Sequence, residues 1–147
     1  MLKCIDINAC VDDAMEVFHS GFACSESVIY ALNKHFEFNL SDDAIAMSSG
    51  FPWGLGGGGC ICGAVAGGTM CLGFVFGRRT KNDPCINNCF RLTEEFHNCF
   101  KAKFKATCCR VLIHGMDRNS PERKELCAQQ VEYTIIKISE IIMREVA

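Results

Sequence analysis

The sequence predicts an all-α protein, a compact helical bundle of about five or six helices with a glycine-rich loop. Three observations carry that expectation. Apolar residues recur three and four apart along most of the chain, and few segments alternate with a period of two, so helices rather than strands bury them. Only three prolines interrupt the 147 residues. Three helix starts carry capping signals, at Ser41-Asp42-Asp43, Asp83-Pro84 and Ser120-Pro121. With 49% apolar residues and no internal repeat, residues 1–147 read as one cysteine-rich α-helical domain able to bury its own core.

The first helix is expected over residues 8–19, with Cys10, Ala14, Val17 and Phe18 as its apolar stripe, and Ser20-Gly21 stops it. The second spans residues 24–36, where Cys24, Val28, Ala31, Leu32 and His35 share a face. A short third helix covers residues 41–48. The fourth covers residues 62–76; Gly63, Ala64, Ala66, Gly67 and Gly68 make it thin enough for neighbours to pack close. The fifth has Asp83 as N-cap and Pro84 at its first helical position, reaches about residue 104, and carries Cys85, Cys89, Leu92, Phe96 and Cys99 on one stripe. Residues 107–110 lead into a short helical or turn segment ending at His114-Gly115. The last helix follows Ser120-Pro121, with Cys127, Val131, Thr134, Ile135, Ile138 and Ile142 as its stripe.

Composition narrows the function classes. The net charge is −2 and no basic stripe marks a nucleic-acid binder. Met1-Leu2-Lys3-Cys4-Ile5-Asp6 shows no secretory h-region, and the longest apolar run, residues 63–77, is too short and glycine-rich for a membrane span. A cytoplasmic location is the resulting expectation. Twelve cysteines then point to metal or redox chemistry rather than a secreted disulfide framework. No C-x-x-C occurs, so zinc ribbons, thioredoxin-like motifs and c-type haem attachment lack their signatures. Paired carboxylates, a serine–histidine–acid set and a phosphate loop are absent too, so the catalytic residues are unknown.

Residues 54–68 read G-L-G-G-G-G-C-I-C-G-A-V-A-G-G and hold eight of the thirteen glycines. So dense a run implies backbone that approaches something closely. It would deliver Cys62 to a helix N-terminus, where the dipole and free N–H groups favour a thiolate. The plainer reading is a flexible loop before a core helix, with Cys62 an inert thiol. Cys24, in the first turn of its own helix, has the same two readings. Cys71, nine residues after Cys62, points to the opposite face and should share no site with it. Cys85, Cys89 and Cys99 are either a second thiol set or small apolar residues of a core stripe. Trp53 is expected to pack over the loop as a core residue, and His114 is a minor candidate for a ligand shell.

Four segments together resemble a known family: F-A-C-S-E-S-V around Cys24, C-G-A-V-A-G at Cys62, C-R-V-L at Cys109 and C-A-Q-Q-V at Cys127. The chain is similar, over roughly residues 22–142, to the C-GCAxxG-C-C family of redox-active proteins. The resemblance implies a helical domain related to the cluster domain of split-Soret cytochromes, without their haem part, since C-x-x-C-H is missing. It implies that Cys24, Cys62, Cys109 and Cys127 bind a cofactor through metal–sulfur bonds: an iron–sulfur cluster, [2Fe-2S] or [4Fe-4S], used for electron transfer or redox sensing. A redox partner protein is implied, and a homodimer is a further expectation. The same cysteines also suit a metal-free thiol–disulfide redox protein or a zinc-binding module. Eight further cysteines depart from the family pattern. Of these, Cys60 and Cys108 adjoin motif positions, and Cys60 is expected to be mobile enough to replace Cys62. Four thiolates gathered without lysine partners would carry too much negative charge to sit together bare; a cluster iron or zinc, or two disulfides, would remove it.

Overall fold

The structure, a computed structural model, describes residues 4–147; the Met1-Leu2-Lys3 part of the N-terminal reading lies outside them. Among the described residues there are helices and no strands: α1 (Ile7–His19), α2 (Cys24–Phe36), α3 (Asp42–Ala46), α4 (Pro52–Leu55), α5 (Gly63–Phe76), α6 (Ile86–Phe104), α7 (Cys109–Leu112) and α8 (Pro121–Val146). The five long ones form the bundle, α4 and α7 flank the site and α3 packs against α2, so the expected count of five or six is close.

Local chemistry explains the starts. The Asp6 carboxylate accepts the Ala9 N–H at 3.2 Å, Ser41 Oγ accepts that of Ala44 at 3.3 Å, and Ser120 Oγ accepts that of Arg123 at 3.1 Å. At α2, Glu26 reaches back to accept the Ala23 N–H at 3.0 Å. Each satisfies a donor that has no partner inside the helix. Two boundaries depart from expectation. Asp83 does cap, accepting the Cys85 N–H at 2.9 Å, but α6 begins only at Ile86. The turn between them closes by i→i+3 bonds, Ile86 N to Asp83 O, Asn87 N to Pro84 O and Asn88 N to Cys85 O, which is tighter than an α-helix. The third helix likewise gives way after Ala46 to i→i+3 turns at Ser48 and Ser49.

α5 is apolar on every side and lies at the centre, against α2, α6 and α8. A Cβ at Gly67 would stand 2.7 Å from Ser25 O, and one at Gly68 would stand 2.7 Å from Thr134 Cγ2. Those glycines therefore let α2 and α8 approach α5 more closely than side chains allow. Val28 and Leu32 from α2, Leu72 from α5, Phe96 and Phe100 from α6, and Ile135, Ile138 and Ile142 from α8 fill the interior. At one end of this core the C-terminus of α1 meets the first turns of α2, α5, α7 and α8. That end holds the largest concentration of sulfur.

Candidate functional site

Each motif cysteine owes its position to a helix start. Cys24 is the first residue of α2, Cys62 is the N-cap of α5, and Cys109 opens α7. Cys127 lies in the second turn of α8. Cys62 is anchored from outside its helix, its N–H donating to Thr107 O at 2.7 Å. Gly63 is required by packing: the Cys24 sulfur stands where a Cβ at that position would be. The loop before it depends on glycine as well. Gly54 has φ +66°, and a Cβ there would meet the backbone of Gly59 and Cys60.

All four motif cysteines line one cavity of about 370 Å³. Phe18, Phe22 and Trp53 give it an aromatic wall, and Arg123, Lys124 and Gln130 a polar one. The Trp53 ring does not join the core, contrary to the expectation from the sequence. It is half-buried at the cavity edge, with the Arg118 and Arg123 guanidinium groups 4.1 and 4.5 Å from its centroid. Arg123 also donates to the Cys127 sulfur at 3.7 Å and to Arg118 O at 2.8 Å. Among the described residues neither Arg118, Arg123 nor Lys124 has an ion pair. Arg123, one turn before Cys127 in α8, and Arg118, from the α7–α8 connection, thus place positive charge at the cavity edge.

Burial decides the protonation of the thiols. The Cys24 thiol is pushed up to about 12, first by desolvation and then by Cys62 and Cys127 beside it. Burial likewise pushes Cys62 up to about 12, although the Val65 and Ala64 N–H groups at the helix start favour its thiolate. Cys109 is raised by burial and by Cys127, with Arg123 and Arg118 opposing. The expected helix-start donors are thus present at Cys62, but desolvation outweighs them, and these thiols are neutral near pH 7. The Cys62 thiol donates to Gln130 Oε1 at 3.7 Å, while the buried Gln130 Nε2 has no partner.

The donors surround a void rather than a point. Among the described residues no three histidine, cysteine or acidic side chains are gathered tightly enough to hold one ion. A tetrahedral zinc–thiolate centre, with metal–sulfur bonds of about 2.3 Å, brings its sulfurs to roughly 3.8 Å from one another. Four thiols lining one cavity are the donor type that soft, thiolate-seeking metals take.

The other cysteines lie elsewhere. Cys71 is buried on the far side of α5 next to Cys10, as its helical phase requires. Cys89 is buried, Cys99 half-buried and Cys85 exposed along α6, and none of them reaches the cavity. His114 is exposed and does not line it either. Cys60 and Cys108 are joined by a disulfide. Cys60 is therefore not the mobile understudy for Cys62 that its loop position suggested. Their proximity to Cys62 and Cys109 was the one sequence signal that could have paired them.

A family model described as "Putative redox-active protein (C_GCAxxG_C_C)" matches residues 22–141. No curated protein and no solved structure matches. The description spells the motif G-C-A-x-x-G, whereas this chain reads Cys62-Gly63-Ala64-Val65-Ala66-Gly67. The first two positions are transposed, and the seat of the Cys24 sulfur against Gly63 suits that order. Among the described residues no helix is long and apolar enough to cross a membrane.

Proposed function

The chain belongs to the C_GCAxxG_C_C family of cysteine-rich, redox-active proteins, and from that membership we propose that it carries electrons on an iron–sulfur cluster held by Cys24, Cys62, Cys109 and Cys127. The observation that supports this reading most is the meeting of four thiols, from four separate helices, around one cavity of about 370 Å³. Bound there, the cluster would supply one-electron transfer at a potential set by its surroundings.

The chain's own residues have definite tasks in this reading. The buried thiols keep their protons until metal displaces them, so loading releases protons and is pH-dependent. Arg123 donates to the Cys127 sulfur, and with Arg118 it offsets the negative charge of the thiolates. Turning the Gln130 amide over presents its unpartnered NH2 to a Cys62 thiolate in place of the carbonyl that now accepts from the thiol. Phe18, Phe22 and Trp53 keep water from one side of the sulfurs. Unpaired Arg118 and Lys124 at the rim suit an acidic redox partner protein.

Purification under strict exclusion of oxygen, followed by visible absorption, tests the proposal. A brown protein that bleaches on adding dithionite is expected. A colourless protein that stays colourless after anaerobic incubation with iron and sulfide contradicts it, and tightly bound zinc in place of iron points to the zinc module instead.

A further inference from the structure

We infer that Cys60 and Cys108 are a second redox couple, reduced by an external dithiol, at the edge of the four-cysteine cavity. The pair is not among the four motif cysteines, and each member is a near neighbour of one of them: Cys60 of Cys62 and Cys108 of Cys109. The bond joins segments 48 residues apart, the glycine loop and the strand of chain leading into α7. Cys60 is exposed and Cys108 half-buried, so an incoming thiolate reaches Cys60 first. Exposed disulfides of this kind are the exchangeable ones, whereas structural disulfides are shielded from attack.

The joined segments do not depend on the disulfide for their docking. Cys62 N donates to Thr107 O at 2.7 Å, Arg110 N donates to Gly59 O at 2.8 Å, and Arg110 Nη2 donates to Gly58 O at 2.8 Å. These three bonds bracket the pair on both sides. The two sulfurs therefore stay opposed when the bond opens, and the couple can cycle without unfolding. Arg110, which has no ion pair among the described residues, lays its positive charge against Gly58 and Gly59 in the loop that carries Cys60.

The step balances as ordinary exchange. One thiolate of the dithiol attacks the Cys60 sulfur, a mixed disulfide forms, and the Cys60–Cys108 bond breaks. Cys108 leaves as a thiolate and takes a proton. The second thiol of the reductant, deprotonated, then attacks its own partner sulfur, closes the reductant's disulfide and releases Cys60, which is protonated in turn. The pair gains two electrons and two protons, and the dithiol is oxidised to a disulfide.

The test is a titration of the full chain in mixtures of reduced and oxidised dithiothreitol, quenched with N-ethylmaleimide and mapped by mass spectrometry. It is independent of what fills the cavity, because it can be run on metal-free and on anaerobically prepared protein alike. The first thiols gained should map to Cys60 and Cys108, two per chain, with helical circular dichroism unchanged, and oxidised dithiothreitol should remove them again. Cys60→Ser with Cys108→Ser should keep the helical signal and lose this gain entirely. Cys108→Ser alone should leave Cys60 alkylated without any reductant. Free Cys60 and Cys108 in the untreated chain, or a bond that opens only as helical signal is lost, would overturn the inference.

Discussion

Cys24, Cys62, Cys109 and Cys127 come from four helix starts and line one cavity, whereas Cys89 and Cys99 of α6, with Cys85 at its N-cap, follow one segment of chain and do not reach that cavity. Cys24 and Cys127 sit on apolar helical stripes as the other three do, so stripe position alone does not tell the two sets apart. The difference lies in what surrounds them. Along that segment Cys85 is exposed, Cys89 buried and Cys99 half-buried, so each sulfur simply takes the environment of its own turn. The cavity set is delivered by helix starts that face one another, with arginines, an aromatic wall and an unpartnered buried amide beside them. A site needs convergence from different elements, while a stripe on one element is sufficiently explained by packing.

The largest effect should come from removing one member of each set. Cys24→Ala should eliminate the visible absorbance of anaerobically prepared protein, and Cys89→Ala should leave it unchanged. Equal loss in both would erase the distinction. A second experiment separates the fold from the site. Gly67→Ala drives a Cβ to within 2.7 Å of Ser25 O, a backbone atom that cannot swing aside, and should cost about 1–3 kcal/mol in urea unfolding. Gly73→Ala, in the same helix but with nothing near its would-be Cβ, should be neutral or stabilise by up to about 1 kcal/mol. If both changes were neutral, the close approach of α2 to α5 would not be what sets the register of the cavity.

The smallest effect is a pH dependence of the metal-free protein. The folded thiols of Cys24 and Cys62 stand at about 12 against an ordinary 9.0. Their folded-state pKa is raised, so the folded chain keeps protons that the unfolded chain releases above pH 9. Stability from this source is intact below about pH 9 and is lost as pH rises towards about 12. The urea midpoint should therefore fall more steeply above pH 9 in the metal-free wild type than in a Cys24→Ala, Cys62→Ala double variant. Parallel slopes would mean that the two thiols are not desolvated.

The helices were legible because their signals are local: Ser41, Asp83 and Ser120 cap within three residues, and the apolar stripes repeat every turn. The late start of α6 was not legible, because the choice between i→i+3 and i→i+4 closure after Pro84 depends on how the preceding turn is held. Cys62 and Cys24 drew attention by their helix starts, but the set of four came only from the family resemblance. Nothing in the spacing of residues 24, 62, 109 and 127 says that they converge. Trp53 was misjudged because its partners, Arg118 and Arg123, are far along the chain and its own φ of +64° gives no warning in sequence. The Cys60–Cys108 bond and the reversal of the expected thiolates are likewise products of tertiary burial and contact.

The most direct measurement is iron and acid-labile sulfide per chain after anaerobic reconstitution of the wild type, Cys62→Ala and Cys71→Ala. The two cysteines occupy opposite faces of the same helix, both buried, so loss of a buried thiol as such affects them alike. The wild type and Cys71→Ala should take up iron and sulfide to the same level, and Cys62→Ala should take up none. Uptake by Cys62→Ala but not by Cys71→Ala, or no uptake by the wild type, would contradict the four-cysteine cluster site.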